Sequence, residues 1–312
     1  MPFTLVTFHA HPDDEAIATG GTMARAKAEG HRVVLVLATR GELGEYQPAV
    51  LADGESLRDR RVAETHAAAA ELGVDRVAFL DYQDSGMAGE PTNDAPGSFA
   101  SADVEEAAGQ LAELLVEEHA DVLTIYDDHG SYGHPDHVQV YRVGARAAEL
   151  ASTPRVYEST ADREYIQALI AENRDSRAPD APDAPDAAEM DDFGSPHALI
   201  TTTVDVREYV DHKRRAMAAH ASQIPADSFF LTLDPDQFRA AFGQEWFIRR
   251  DRRDAREDWI FDGLAPQSLR GRRPFGARRA RPEHRLRAGP RRGRDRGSRG
   301  IRSRCGPGTR AP

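Results

Sequence analysis

Near its start the chain reads Phe-Thr-Leu-Val-Thr-Phe-His-Ala-His-Pro-Asp-Asp-Glu, residues 3–15. The apolar and β-branched half of this stretch predicts a buried strand over residues 3–8, and a cluster of histidine and carboxylates follows it. The pattern recurs where Val-Leu-Thr-Ile-Tyr at 122–126 precedes His-Pro-Asp-His at 134–137. Because ligands of an open α/β sheet bind beyond the carboxyl ends of its strands, the two clusters are predicted to meet at one site.

Strand-like and helix-like patterns alternate through the first 160 residues. Such alternation is typical of βαβ units and predicts an α/β fold with a Rossmann-like, mostly parallel sheet flanked by helices. Helices are expected to end at Gly30 and Gly73, and one is expected to begin at Ser101. The predicted strands cover 3–8, 32–38, 76–80, 121–126 and 155–159, with helices near 16–29, 57–72, 101–118 and 135–150.

Three parts are predicted along the chain. Residues 1–160 form the catalytic core with both clusters, and residues 161–264 form a smaller C-terminal α+β section that completes the pocket. Within that section, the Pro-Asp repeats of residues 174–192 predict a disordered insertion. Residues 265–312, rich in Arg, Gly and Pro, predict a disordered tail, and an out-of-frame reading of a GC-rich gene is the alternative. The predicted elements of the C-terminal section are a strand near 198–204, a helix near 206–222 and a strand around 246–248.

The formal net charge of −12 is unevenly distributed. Sixteen Arg and two acids lie in residues 265–312, which leaves 24 basic and 50 acidic side chains in residues 1–264. Nucleic acids are bound through cationic surfaces, so the acidic body argues against a nucleic-acid substrate. Attachment of the basic tail to nucleic acid or to a membrane stays a further alternative.

Compartment and redox chemistry are constrained by what the sequence lacks. No apolar run approaches the roughly 20 residues of a membrane helix, and no signal-like segment precedes the first strand, so a cytoplasmic protein without membrane attachment is expected. The single cysteine, Cys305, permits neither an intrachain disulfide nor a thiolate zinc site. Any metal must therefore be bound by His, Asp or Glu.

Histidine nitrogen and aspartate oxygen form a ligand set suited to zinc or another borderline divalent ion. Three protein ligands would leave a fourth position for water, as in catalytic zinc sites. The loops 39–56 and 81–100 leave strand carboxyl ends and are expected to cover the site. As an alternative, Asp13 and Asp14 cap a helix near Ala16 and serve only structure.

A nucleotide-binding or transferase protein is a second class of function that the parallel sheet permits. The first strand is followed by three acids, with neither Gly-x-Gly-x-x-Gly nor a phosphate-loop lysine. Three acids at that position would repel phosphate unless a metal intervened.

Both clusters resemble those of the LmbE-like/PIG-L family of zinc-dependent N-acetylglucosaminyl deacetylases and related amidases. The resemblance covers about residues 3–250 and rests on His-Pro-Asp-Asp-Glu at 11–15 and Ser-Tyr-Gly-His-Pro-Asp-His at 131–137. Further segments are similar to the mycothiol branch of the family. These are Gly-Glu-Leu-Gly-Glu at 41–45, Arg61, Asp-Ser-Gly-Met-Ala-Gly at 84–89 and His-Ala-Ser-Gln at 220–223.

The resemblance implies a role for each of these polar residues. His11, Asp14 and His137 would bind one Zn²⁺ per chain, with Fe²⁺ as the alternative metal. Asp13, beside the metal, would be the general base. The other implied roles are polarisation or protonation of the reacting centre by His134, orientation of that imidazole by Asp136, oxyanion stabilisation by Tyr132, and binding of substrate hydroxyls by Glu42, Arg61 and Asp84.

The implied function is hydrolysis of an N-acyl amide, expected to be N-acetyl, on an amino sugar or a GlcNAc-inositol-type conjugate. The products would be a carboxylic acid and a free amine, so the expected partner is a small-molecule amino sugar. Two alternatives share this fold: an amidase that cleaves a mycothiol S-conjugate, and a catalytically silent protein that binds metal or sugar.

Overall fold

The computed structural model describes residues 2–173 and 191–265 of the 312-residue chain. A seven-stranded sheet runs through them, with its strands in the order β3-β2-β1-β4-β5-β7-β6. The strands are β1 Thr4–His9, β2 Arg32–Leu37, β3 Arg76–Phe79, β4 Val122–Tyr126, β5 Arg155–Thr160, β6 Thr202–Asp205 and β7 Gln244–Arg249. The helices are α1 Asp14–Ala18, α2 Gly20–Ala28, α3 Leu57–Leu72, α4 Val104–Glu117, α5 Gly130–Gly133, α6 Pro135–Ala151, α7 Arg163–Asn173, α8 Val210–Ala219, α9 Phe229–Thr232 and α10 Pro235–Phe242.

The first five strands are parallel, as predicted. Strand β1 lies between β2 and β4, and the sheet continues outward to β3 on one side and to β5 on the other. Strands β2 and β3 thus extend the sheet on one side of β1, and β4 and β5, which come later in the chain, extend it on the other side. This reversal opens a crevice at the carboxyl ends of β1 and β4, where ligands of such sheets bind. The two clusters follow these two strands, so the topology places them together.

Helices cover both faces of the sheet. All six residues of β1 are buried, and its apolar side chains contribute to two clusters on opposite faces of the sheet. Leu5 packs with Met23 of α2 and Met217 of α8. Val6 and Phe8 belong to the cluster on the opposite face, under α4 and α6. Because neither face meets water, the central parallel strands are continuous apolar runs.

The helix predicted over residues 16–29 is wrong in one respect, because it is two helices. Thr19 has a φ of −134°, which ends α1 before α2 begins. Its hydroxyl hydrogen-bonds to His9 Nε2 at 2.9 Å, and this contact fixes the break. Gly21 lies against Val206, where a Cβ would come within 2.5 Å of that side chain. The break thus lets α2 approach the sheet closely.

Helix α4 begins at Val104 and not at Ser101, so that predicted start is wrong. Asp103 accepts a hydrogen bond from the Glu106 N–H at 3.0 Å and is the N-terminal cap. The Ser101 hydroxyl is 2.9 Å from the Ser98 hydroxyl within the preceding loop. The predicted ends at Gly30 and Gly73 are confirmed, because both glycines have positive φ, 84° and 71°.

The C-terminal section extends the same sheet. Strands β7 and β6 continue it beside β5 in antiparallel pairing. The predicted strand near 198–204 begins only at Thr202, because His197–Leu199 is a 3₁₀ turn. The predicted helix over 206–222 is shorter, since α8 spans Val210–Ala219. Contacts group Met1–Arg270 into one compact unit.

Glu245 on β7 links the C-terminal section to the core. Its carboxylate accepts the N–H groups of Gly21 and Thr22 at 2.8 and 2.7 Å, at the N-terminus of α2. Lys213 of α8 donates to the same carboxylate at 2.6 Å, and both charged side chains are buried. These contacts hold α2, α8 and β7 together behind the site.

Of the predicted insertion, residues 174–190 lie outside the described residues. The predicted tail at 265–312 lies outside them as well, apart from Ala265. In the part of the chain that the structure describes, no helix combines the length and apolarity needed to cross a membrane.

Candidate metal centre and active site

The Asp14 carboxylate is the centre of the site. Asp14 is the first residue of α1, His11 lies in the turn after β1, and His137 lies in the first turn of α6. Asp14 Oδ2 is 3.3 Å from His11 Nδ1 and 3.3 Å from His137 Nε2. The same oxygen accepts the His11 backbone N–H at 2.9 Å. The structure therefore brings the three predicted metal ligands together from both clusters.

Two observations at these side chains suit a bound metal ion, namely the ring of His137 and the spacing around Asp14. Neither ring nitrogen of buried His137 makes a well-formed hydrogen bond with the described part of the chain. Buried polar atoms without partners are uncommon, so a ligand is expected there. Tetrahedral zinc with bonds of about 2.0 Å places its ligand atoms about 3.3 Å apart. The two separations at Asp14 match that value.

Further potential ligands surround His11. Two groups of three side chains have ligand atoms within 4.8 Å of one another: His11 with His134 and His137, and His11 with Asp84 and Asp136. Hydrogen bonds to Asp136, Asp14 and Asp84 raise the pKa of His11 well above its usual value, although burial opposes the shift. His137 and His11 hold the pKa of buried Asp14 well below its usual range. The carboxylates of Asp14, Asp84 and Asp136 therefore stabilise a positive charge in the space between them.

Asp13 lies beside the predicted metal ligands in an uncommon backbone conformation. Its φ is 93°, a positive value that costs energy for a residue with a side chain. The Glu15 carboxylate accepts the Asp13 N–H at 3.0 Å and supports this turn. Burial raises the pKa of Asp13 to about 6, against the lowering effect of Arg61. A carboxylate that gains a proton near neutral pH suits a general base.

Arg61 of α3 reaches under the site from the opposite side of the crevice. Its guanidinium donates to the carbonyl oxygens of Gly41 and Pro12, and it lies 3.4 Å from Asp13 Oδ1. Only 3% of Arg61 is exposed. A Cβ on Gly41 would meet this guanidinium, and the φ of Gly41 is 65°. Arg61 thus holds the loop after β2 against the turn after β1.

Asp84 and Glu42 connect the two predicted loops. Asp84 Oδ1 is 3.6 Å from His11 Nε2, and Oδ2 accepts the Leu43 N–H at 3.2 Å. Hydrogen bonding to His11 lowers the pKa of Asp84 although its burial opposes this. Glu42 Oε1 accepts the Asp84 N–H at 3.3 Å, whereas buried Oε2 has no hydrogen-bond partner among the described residues. A substrate hydroxyl is one donor that would satisfy Oε2.

His134 and Asp136 are joined at the start of α6. The Asp136 backbone N–H donates to His134 Nδ1 at 3.1 Å. The carboxylate contacts His11 Nε2 at 3.1 Å and Ser85 N at 3.0 Å. Burial and the neighbouring histidines lower the pKa of His134 to about 4. His134 is therefore a neutral imidazole with its proton on Nε2.

Tyr132 lies at the mouth of the crevice and is half exposed. Its ring centroid is 4.9 Å from that of His137. The turn before it contains Ser131, with a φ of 66°, and buried Asp127 accepts the Ser131 N–H at 2.7 Å. Partial burial, together with the nearby Asp14 carboxylate, raises the pKa of Tyr132, so the phenol keeps its proton and can donate.

Two features of the site escaped the analysis of the sequence. His220, at the end of α8, lies 2.6 Å from Glu15 Oε1, and both side chains are fully buried. Ser85 donates through its backbone and its hydroxyl to Asp136. Both residues belong to the segments 84–89 and 220–223 that resemble the family, but the partners of each lie far away in the sequence.

A His/Asp cluster at the switch point of a mostly parallel sheet, with an acid beside it, defines a candidate metallohydrolase of the α/β class. The chain belongs to the PIG-L family. The family model described as GlcNAc-PI de-N-acetylase matches residues 6–148, and relatives named as deacetylases match most of the chain. One relative, from Thermomonospora curvata, is named 1D-myo-inositol 2-acetamido-2-deoxy-alpha-D-glucopyranoside deacetylase. It is 40% identical over 284 residues, which cover 82% of this chain and 95% of that protein.

Solved structures agree on the fold. N,N'-diacetylchitobiose deacetylase from Pyrococcus horikoshii matches with a TM-score of 0.52 and 20% identity, over 79% of this chain and 83% of that one. The A40926 pseudoaglycone deacetylase Dbv21 matches with a TM-score of 0.53 and 18% identity, over 79% and 96%. Together the comparisons confirm the predicted family, the α/β fold and the hydrolase class.

Proposed function

We propose that this chain is a zinc-dependent deacetylase that hydrolyses the N-acetyl amide of a GlcNAc-inositol conjugate. The observation that carries the proposal is the position of Asp14, whose carboxylate lies 3.3 Å from a ring nitrogen of both His11 and His137. Asp13 lies next to this cluster, where a general base is needed. The substrate is inferred from the name of the relative that is 40% identical.

His11, Asp14 and His137 would hold the metal ion. Imidazole and carboxylate suit Zn²⁺ and also Fe²⁺, and three protein ligands leave room for water or substrate. When bound, the ion supplies a Lewis acid that polarises the amide carbonyl and lowers the pKa of water. Side chains of the protein itself transfer the protons and donate the hydrogen bonds that the reaction needs.

Asp13 takes a proton from the water that attacks the carbonyl carbon. The tetrahedral intermediate then collapses as the carbon–nitrogen bond breaks, and Asp13 returns the proton to the leaving nitrogen. The products are acetic acid and a free amine, and near neutral pH the proton of the acid passes to the amine, so that acetate and an ammonium group leave. The raised pKa of Asp13, about 6, supports both directions of transfer near neutral pH.

His134 and Tyr132 stabilise the oxygen that becomes negative. With Nδ1 accepting the Asp136 N–H, neutral His134 carries its proton on Nε2 and donates it as a hydrogen bond. The Tyr132 phenol supplies a second donor from the mouth of the crevice. Donors prearranged for a developing oxyanion commonly contribute 10²–10³-fold to the rate.

Glu42, Arg61 and Asp84 bind and orient the sugar. Glu42 Oε2 is a buried acceptor without a partner among the described residues, which suits a hydroxyl donor. Asp84 is held beside His11 and faces the same crevice. Two nitrogens of Arg61 donate to carbonyl oxygens and keep the Gly41 loop in place, and its Nε, which has no hydrogen-bond partner among the described residues, remains to donate to the sugar.

The test measures primary amine released from a panel of N-acetylated sugars. Protein stripped with a chelator is compared with samples reloaded with Zn²⁺ or, without oxygen, with Fe²⁺. The panel contains GlcNAc-inositol, free N-acetylglucosamine and a thiol S-conjugate of the acylated amino sugar. Asp13→Asn is the active-site variant, and Asp128→Asn, at an exposed carboxylate, is its matched control.

Metal-dependent release from GlcNAc-inositol, lost in Asp13→Asn and kept in Asp128→Asn, is the expected result. Preference for the S-conjugate would replace the proposed substrate but keep the reaction class. Tight metal binding without amine release from any panel member would overturn the proposed activity.

A further inference from the structure

Ser85 is the residue around which the loop 81–100 is organised at the metal site. Its side chain is fully buried, and its hydroxyl accepts the Ala100 N–H at 2.9 Å. Its carbonyl oxygen accepts hydrogen bonds from Thr92 at 2.8 Å and Asn93 at 2.7 Å. The residue is therefore held on several sides and has little freedom to move.

Ser85 donates two hydrogen bonds to the Asp136 carboxylate. The Ser85 N–H donates to Asp136 Oδ2 at 3.0 Å, and the hydroxyl makes a short hydrogen bond to Oδ1. Asp136 is fully buried in the first turn of α6, where the helix favours negative charge. The Asp136 carboxylate also contacts His11 Nε2, at 3.1 Å.

The contact with Asp136 decides which nitrogen of His11 is available to a metal. A neutral imidazole that donates from Nε2 to a carboxylate has its lone pair on Nδ1. Nδ1 is the atom that lies 3.3 Å from Asp14 Oδ2. A carboxylate on the far nitrogen also makes the ligating nitrogen more basic and fixes the ring plane.

We propose that Ser85 is a positioning residue of the metal centre, which acts by holding Asp136 so that His11 presents Nδ1 to the metal. The same loop carries Asp84, so the segment that is expected to contact the sugar also supports a metal ligand. The inference rests on the metal site of the proposed function, but it concerns metal affinity and needs no substrate.

The test measures Zn²⁺ affinity by competition with a chromophoric chelator for the full chain and three variants. Ser85→Ala removes the hydroxyl, and Ser85→Cys keeps a side chain of similar size with a much weaker donor. Ser98→Ala is the matched control. Ser98 is equally buried in the same loop, and its hydroxyl donates to the Asn93 carbonyl at 2.7 Å without contacting Asp136.

Ser85→Ala and Ser85→Cys are expected to weaken Zn²⁺ binding by about 10–100-fold, the usual effect of removing such support. Ser98→Ala is expected to bind Zn²⁺ as the unmodified protein does. Melting temperatures of the metal-free proteins, measured in parallel, separate a loss of affinity from a loss of folding. If Ser85→Ala does not fold, Ser85→Cys carries the test.

Zinc affinity within twofold of the unmodified value in folded Ser85 variants would overturn the inference. An equal loss in Ser98→Ala would do the same, since it would assign the effect to loop folding. Absence of Zn²⁺ binding by the unmodified protein would overturn both this inference and the metal site. Tight Zn²⁺ binding that depends on Ser85, without amine release, would contradict only the proposed activity.

Discussion

Replacement of His220 by alanine is predicted to destabilise the protein strongly and to slow catalysis without removing the metal. His220 Nε2 lies 2.6 Å from Glu15 Oε1, and neither side chain is exposed. Without His220, the buried Glu15 carboxylate keeps only the Asp13 N–H as a donor among its observed contacts. Removal of one partner from a buried ion pair costs about 3–5 kcal/mol of unfolding free energy.

That loss is large enough to measure in two ways. For a folded unit of this size, each kcal/mol lowers the melting temperature by about 2–4 °C, so a fall of about 6–20 °C is expected. The Glu15 carboxylate also supports the strained turn at Asp13, whose φ is 93°. A displaced general base is expected to lower kcat at least about tenfold, since small misplacements in active sites are costly.

Thermal and urea unfolding, kcat and metal content per chain are the measurements. His66→Ala, on the exposed face of α3, is the matched control and is expected to change stability by less than about 0.5 kcal/mol. The double variant Glu15→Gln/His220→Ala is expected to be more stable than His220→Ala alone, because it no longer buries an unpaired charge. A melting temperature of His220→Ala within 2 °C of the unmodified protein would refute the reasoning.

Asp13→Asn is expected to lower kcat by about 10²–10⁴-fold while metal content, measured by mass spectrometry, is unchanged; loss of metal in this variant would contradict its role as a base. His137→Ala is expected to lose the metal during gel filtration, because it removes one of the three side chains proposed to bind the ion. Zn²⁺ at about 100 times its Kd is expected to stabilise the metal-free protein by about 2.7 kcal/mol, and an unchanged melting temperature would argue against a site in the folded state. Gly41→Ala is expected to raise KM with metal content unchanged, since its Cβ would displace the Arg61 guanidinium.

The local parts of the site were predictable because their geometry is set by neighbours in the chain. His11 and Asp14 are three residues apart at the end of a strand, and the Asp14 carboxylate accepts the His11 N–H. A strand followed at once by a helix permits little other geometry for these side chains. The apolar runs that precede the two clusters are typical of strands buried on both faces of a sheet. The parallel strands could therefore be located from the sequence.

Other predictions failed where a distant contact overrode a local pattern. The helix over 16–29 is broken at Thr19 because its hydroxyl bonds to His9 on the neighbouring strand. The two contacts of the Asp136 carboxylate, with His11 and Ser85, could not be read from the sequence either, whereas its backbone N–H donates to His134, its near neighbour. In both cases hydrogen bonds between separate elements determined the outcome, and sequence periodicity carries no information about them.

The sequence by itself determined the parallel α/β core, the two clusters at strand ends and the family, because these depend on apolar periodicity and on short motifs. Only the tertiary structure decided which atoms meet within the site. Asp136 contacts His11 across 125 residues, Ser85 contacts Asp136 across 51, and His220 contacts Glu15 across 205. The physical reason is that a buried polar group must find a partner, and the packing of the whole sheet determines which one is within reach.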